Sequence, residues 1–308
     1  MELKIADSTS RYNSLQISVN QRVHGGLTFQ NSYTLSKAMD EYSVVSNVDI
    51  GGATTGTEAQ AGPNPFDRSI DWAPSPWDIR HNYHFNLVYR VPDAFRRGSL
   101  LAGVLNTWQV ATIVQATSGQ PFTPGLTTNR SRSEILGGPS GLDRPDVVAG
   151  VKLKDVTSGV SRGCEGVPAG TPVGTPEHWF DPCAFAIPPI GTIGNTPRNS
   201  VRGPGYSRVD LSFQKLVNVA RTSNVELRVD VFNVFNRVNF GIPNRIVYAA
   251  RTDVEAPLAT AGLITTADAG RQAQLSVRWS FCWCDVLAKE ACAWVPMTHA
   301  RRTAVVTS

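Results

Sequence analysis

The residues in this chain that could carry chemistry are few and do not converge. His81 and His84 stand three apart in "HNYH". On a helix that spacing puts two imidazoles on one face, where they could hold a metal ion; on a strand the two side chains point to opposite faces. No metal site and no cofactor are expected there. Asp67, Asp71 and Asp78 share one polar stretch, and glycoside hydrolysis needs two carboxylates about 5 to 10 Å apart. A loop does not fix that distance, and loop carboxylates are ordinarily solvated. No nucleophile elbow, phosphate-binding loop, dinucleotide fingerprint or H-E-x-x-H helix is found in the sequence. An enzyme is therefore not expected. Of the five cysteines, Cys164 and Cys183 could close a disulfide within a long loop, if the compartment is oxidising. Cys282, Cys284 and Cys292 lack a fourth ligand for zinc.

Binding is the remaining role for side chains, and binding residues concentrate on loops held by a rigid scaffold. The candidates are Arg68, Trp72, Trp77, Arg130 and Arg132. Lys and Arg number 29 against 25 Asp and Glu; so small and scattered an excess is no nucleic-acid footprint. No run of about 18 apolar residues exists that could form a transmembrane helix. A membrane barrel stays allowed, because its strands alternate their apolar residues. The N-terminus, "MELKIADSTSRYN", has no apolar segment of the kind a secretory signal needs. An outer-membrane protein requires such a signal, so the expectation is that the chain is incomplete or that the membrane reading fails.

Seven stretches alternate apolar and polar residues strictly enough to be strands. The last, Gln272 to Phe281, sets Ala273, Leu275, Val277, Trp279 and Phe281 against Gln274, Ser276, Arg278 and Ser280. The others begin near Tyr12, Leu27, Arg80, Trp108, Arg208 and Val225. Each spans about ten to twelve residues, near the length a tilted strand needs to cross a bilayer. Alternation ending in an aromatic is the pattern of an outer-membrane barrel, apolar toward lipid and polar toward the lumen. After Val231 the pattern slips through Phe232, Asn233, Val234 and Phe235, as at a bulge or where a strand leaves the membrane.

The connections sort themselves: about three residues, then forty, sixteen, more than eighty, eight and thirty-five. Short turns on one side and long loops on the other are the barrel habit. With long loops extracellular, the last strand ends on the periplasmic side and the first enters from outside. Seven such strands read as the C-terminal part of a larger barrel, since bacterial barrels have an even strand number. Tyr89, Trp108 and Trp279 then fall near periplasmic ends, and Tyr33 and Tyr83 near extracellular ends, as two aromatic girdles. Lumen charges can pair across the fifth and sixth strands, Asp210 opposite Arg228 and Arg208 opposite Asp230, which would help pin the register. Their role is expected to be structural.

Five strings go beyond periodicity. They are Tyr12 to Asp40, Asp67 to Pro92 ("DRSIDWAPSPWDIRHNYHFNLVYRVP"), Trp108 to Pro124, Trp179 to Lys215 and Glu226 to Asn244. Together they resemble the barrel of TonB-dependent receptors, with "GNTPRNSVRGPG" and "FNVFNRVNFG" nearest to the Oar-like type. The resemblance implies an outer-membrane receptor that imports a scarce ligand, with residues 1–281 as its C-terminal barrel part. It implies outer-membrane lipid as surroundings, and an N-terminal plug and barrel half as missing partners. The TonB complex would be a partner only of the full-length protein. Phe281 matches the terminal aromatic that serves as the family's assembly signal. The family ends there, so residues 282–308 read as an aberrant or disordered tail.

The fold expected is thus all-β, an antiparallel transmembrane β-barrel, incomplete, in the bacterial outer membrane. The alternative is a soluble or surface-attached all-β domain that binds glycans. The two differ in where the apolar faces go. A barrel turns Leu15, Phe85, Leu211, Val229 and Leu275 outward, whereas a sandwich packs them into a two-sheet core.

Overall fold

The computed structural model describes residues 8–41, 44–45, 58–59, 67–93, 95, 100–132, 143–220, 223–281 and 304–307. Seven long strands carry the fold: β1 Ser10–Val23, β2 Leu27–Asp40, β3 His81–Arg90, β4 Trp108–Thr117, β5 Tyr206–Ala220, β6 Ser223–Phe232 and β7 Gln272–Phe281. They lie at the seven alternating stretches. Each pairs antiparallel with its neighbours in chain order, giving an up-and-down meander. Among the described residues β1 pairs only with β2, and the far edge does not return to it, so the sheet is not closed.

The registers sort the side chains into two faces. One row, Val23–Leu27–Tyr89–Val110–Phe213–Val229–Leu275, runs apolar through all seven strands. The adjacent row on the other face, Arg22–Thr28–Val88–Ala111–Ser212–Asp230–Gln274, is mostly polar. Among the described residues nothing packs over most of the apolar face: Leu15 is 58 % exposed, Val229 40 % and Leu275 51 %. The buried hydrophobic cluster lies elsewhere and draws on none of the seven strands. Leu15, Phe85, Leu211, Val229 and Leu275 thus do not line a closed interior. The described strands form an all-β antiparallel sheet with one apolar and one polar face, the division expected of an outer-membrane barrel.

The turns explain the local departures. Gly25 and Gly26 take φ of 93° and 87° between β1 and β2, a backbone that residues with a Cβ rarely adopt. The turn between β3 and β4 is more than a connector, since it contains a short helix, α1, at Leu100–Leu105. The phase slip after Val231 is a strand end. Asn233 and Asn236 sit at φ of 52° and 50°, which a ladder cannot continue.

The expected cross-strand charge pairs are not formed. Arg228 stands opposite Gln214 and Asp230 opposite Ser212, while Arg208 stands opposite Gln115 of β4. Each arginine instead bonds two residues along its own strand: Arg208 Nε to Asp210 Oδ1 at 2.7 Å, and Arg228 Nε to Asp230 Oδ1 at 2.8 Å. The expected pairing of Asp210 with Arg228 places the turn too early, because it takes no account of how far β5 extends. The strand runs on to Ala220, which pairs with Ser223. Moving the turn by two residues shifts the register by four, and an even shift leaves every side chain on its expected face.

Of the tail beyond Phe281, residues 304–307 form a short strand, β8 (Ala304–Thr307), on the open edge of β7. Its sequence has no alternation, but an edge strand offers unpaired N–H and C=O groups that a short apolar segment can take. Residues 282–303 lie outside the described residues.

Candidate functional site

All three long connections, residues 41–80, 118–205 and 233–271, leave the same end of the sheet. Their described parts fold onto one another as a cap. Its core is Phe122, Leu126, Phe180, Phe185 and Val201 of the second loop with Val247 and Tyr248 of the third. Leu126 and Phe180 are fully buried, and Phe180 meets Phe185 edge-on with ring centroids 6.0 Å apart. Burying each such side chain contributes about 1.5–3 kcal/mol. Cys164 and Cys183 are joined by a disulfide within the second loop. Beside it Asp181 accepts from Ser161 Oγ at 2.7 Å, Arg162 N at 3.1 Å and Cys183 N at 3.1 Å.

Ion pairs, each with at least one buried member, clamp the loops together. Arg144 of the second loop donates to Asp71 of the first at 2.6 Å, with side chains 8 % and 2 % exposed. Arg198 pairs with Asp40 at the end of β2 and also donates to the Asp71 carbonyl. Arg202 pairs with Asp78 and donates to its carbonyl at 2.9 Å. Arg130 pairs with Asp253 of the third loop. Burial pushes the Asp71 carboxyl up, against the pull of Arg144, and pushes the Arg144 guanidinium down. Burial, with the Asp181 charge adding to it, also pushes the Tyr248 phenol up to about 12; that hydroxyl donates to the Phe185 carbonyl at 2.7 Å.

The segment "GNTPRNSVRGPG", Gly194 to Gly205, is the hub of this clamp. A Cβ at Gly194 would lie 1.9 Å from the Arg144 carbonyl oxygen, so only glycine permits the approach. Thr196 donates to the Pro145 carbonyl, and Asn199 Nδ2 to the Pro74 carbonyl at 2.8 Å. Arg198 and Arg202 supply the charge. Arg144, Arg198 and Arg202 were not among the sequence candidates. The signal was there, two arginines four apart in a glycine- and proline-framed segment, but nothing in the sequence says that their partners are Asp40, Asp71 and Asp78.

The sequence candidates separate. Trp72 and Trp77 reach the cap surface, 37 % and 51 % exposed. Arg132 is exposed too, at φ of 58°. Arg130 corrects the expectation. Its side chain is 3 % exposed, held by Asp253 and by the Pro188 carbonyl at 3.1 Å, because the clamp needs its charge inside. The Arg68 side chain lies outside the described residues. Asp67 caps the helical turn Arg68–Asp71 through Ser69, and Asp71 and Asp78 are the buried carboxylates of the clamp. His81 and His84 fall on opposite faces. His81 meets the Tyr33 hydroxyl at 2.8 Å on the apolar side, and His84 stands between Ser32 and Gln115 on the polar side. Among the described residues no group of His, Cys, Asp and Glu could hold a metal ion.

Comparison with known families places most of the chain. A family model described as an outer membrane beta barrel domain matches residues 2–274. No curated protein and no solved structure matches the chain.

Proposed function

Because the chain belongs to the outer membrane beta barrel domain family, we propose that it is the C-terminal barrel portion of a TonB-dependent receptor of the Oar-like type, a transport component without catalysis. The observation that carries this reading is the pairing of an uncovered apolar face over seven strands with a cap built from the long loops at one end. The motifs of the resemblance point the same way: "GNTPRNSVRGPG" and the "DRSIDWAPSPWD" stretch together supply the Arg202–Asp78 pair, and each supplies one partner of another, Arg198 to Asp40 and Asp71 to Arg144. In this reading the cap faces outside the cell, the short turns face the periplasm, and the polar sheet face lines the lumen. The plug, the remaining strands and the TonB box belong to the N-terminal part of the full-length receptor. Ligand contact falls to Trp72, Trp77 and Arg132 on the cap surface, with Arg68 beside them in sequence.

The test is the DNA immediately upstream of the coding region. A plug-like sequence in frame, or one frameshift away, is the expected result; upstream sequence coding for neither plug nor strands would end the receptor reading. The glycan-binding alternative requires the apolar faces to be packed against a second sheet, and the uncovered row from Val23 to Leu275 supports it less well.

A further inference from the structure

The turn between β3 and β4, at the opposite end from the cap, carries features that the receptor reading does not use. Its helix α1 is only six residues long and presents Leu101, Val104 and Leu105, which are 57 %, 64 % and 46 % exposed. Phe95 before it is 37 % exposed. A solvent-facing turn has no use for four exposed large apolar side chains. Side-chain hydrogen bonds tie the two ends of the turn together. Asn106 Nδ2 donates to the Phe95 carbonyl at 2.7 Å and its Oδ1 accepts from Phe95 N at 3.2 Å; Thr107 N donates to Asp93 Oδ1 at 3.2 Å.

The side of the sheet on which it lies can be read from register. Trp108 and Lys215 stand opposite one another at the lower end of the apolar face, in phase with Val110 and Phe213. The Trp108 indole N–H donates to the Val104 carbonyl at 2.8 Å. Lys215, only 5 % exposed, sends its Nζ to the Asn106 carbonyl and over the Trp108 ring, 5.5 Å from its centroid. The turn therefore folds back against the lower end of the apolar face and covers Lys215, the one lysine on that face of β5.

From these contacts we infer that Phe95 and residues 100–107 form a membrane-interface anchor, seated in the headgroup and upper acyl region of the leaflet at the short-turn end. The occupant is lipid because Phe95, Leu101, Val104 and Leu105 are exposed where the turn meets the lower end of the lipid-facing band, and because Trp108, on that face and bonded to the turn through its indole N–H, sits where an aromatic belt belongs. An amphipathic turn of this kind lies in the interface plane and fixes how deep the sheet sits. The inference rests on the outer-membrane reading.

The test uses the full chain with Cys282, Cys284 and Cys292 changed to Ser, which keeps the Cys164–Cys183 disulfide, refolded into phosphatidylethanolamine–phosphatidylglycerol vesicles. Nitroxide labels go on Val104→Cys, on Leu101→Cys as a second site, on Val229→Cys in the band and on Val254→Cys, 84 % exposed in the third loop. Collision with oxygen, which concentrates in lipid, is compared with collision with a water-soluble nickel chelate. Positions 101, 104 and 229 should favour oxygen severalfold and position 254 should favour nickel. Labels at 101 and 104 that behave like 254, while 229 stays lipidic, would overturn the anchor and leave the barrel standing. A label at 229 that favours nickel overturns both.

Discussion

Arg198 shows what a single side chain does in this protein. It is buried, it pairs with Asp40, and it reaches the carbonyls of Asp40 and Asp71. Removing one member of a buried ion pair takes the compensating charge from its desolvated partner, which costs about 3–5 kcal/mol. Arg198→Ala should therefore lower the thermal midpoint of the cap, followed by near-UV circular dichroism. The double change Arg198→Met with Asp40→Leu should cost less, because no unpaired charge stays inside. Tyr248 gives a pH signature. An unfolded tyrosine ionises near pH 10, whereas in the cap the phenol is held up to about 12. The stability it contributes is complete below about pH 10 and is lost as the pH climbs toward 12. Phenolate absorbance should show a late-titrating component that Tyr248→Phe abolishes, together with a shallower alkaline loss of cap structure.

The strands test the two-faced sheet. Phe213 lies midway along β5 on the apolar face and Ser212 beside it on the polar face. An arginine on the lipid face at the bilayer midplane costs about 2–4 kcal/mol. Phe213→Arg should show a loss of that order in denaturant unfolding from micelles. Ser212→Arg, next to Asp230, should change stability by no more than about 0.5 kcal/mol. Equal losses at the two positions would mean that the apolar face is not the one in lipid. In the second loop, Cys164 and Cys183 are 19 residues apart, a closure that contributes about 2–4 kcal/mol. Reduction should destabilise the cap yet leave the far-UV strand signal unchanged, since none of the seven long strands lies between the two cysteines.

At the scale of the molecule, the sheet and the cap bury apolar surface by different means. The cap buries its own side chains among themselves. The sheet leaves its apolar face to lipid, and among the described residues one side of β1 is an unpaired edge. A chain built this way should partition into the detergent phase on warming in a clouding detergent and should aggregate when detergent is removed. A soluble monomer in plain buffer would contradict it. The absence of a long apolar helix among the described residues bears on none of this, because strands do the crossing.

Composition and period settled the seven strands, their faces and the grouping of long loops, because alternation is local: each residue's face follows from its neighbours two away. The same reasoning failed for Arg208, Asp210, Arg228 and Asp230, since partners across a hairpin depend on where the turn falls. It failed for Arg130 as well, which looks like any loop arginine in sequence and is an interior charge in space. What only the tertiary structure decided is the cap. Asp40, Asp71 and Asp78 meet Arg198, Arg144 and Arg202 across separations of 73 to 158 residues, and no local pattern encodes contacts that exist only once three loops have closed over the same end of the sheet.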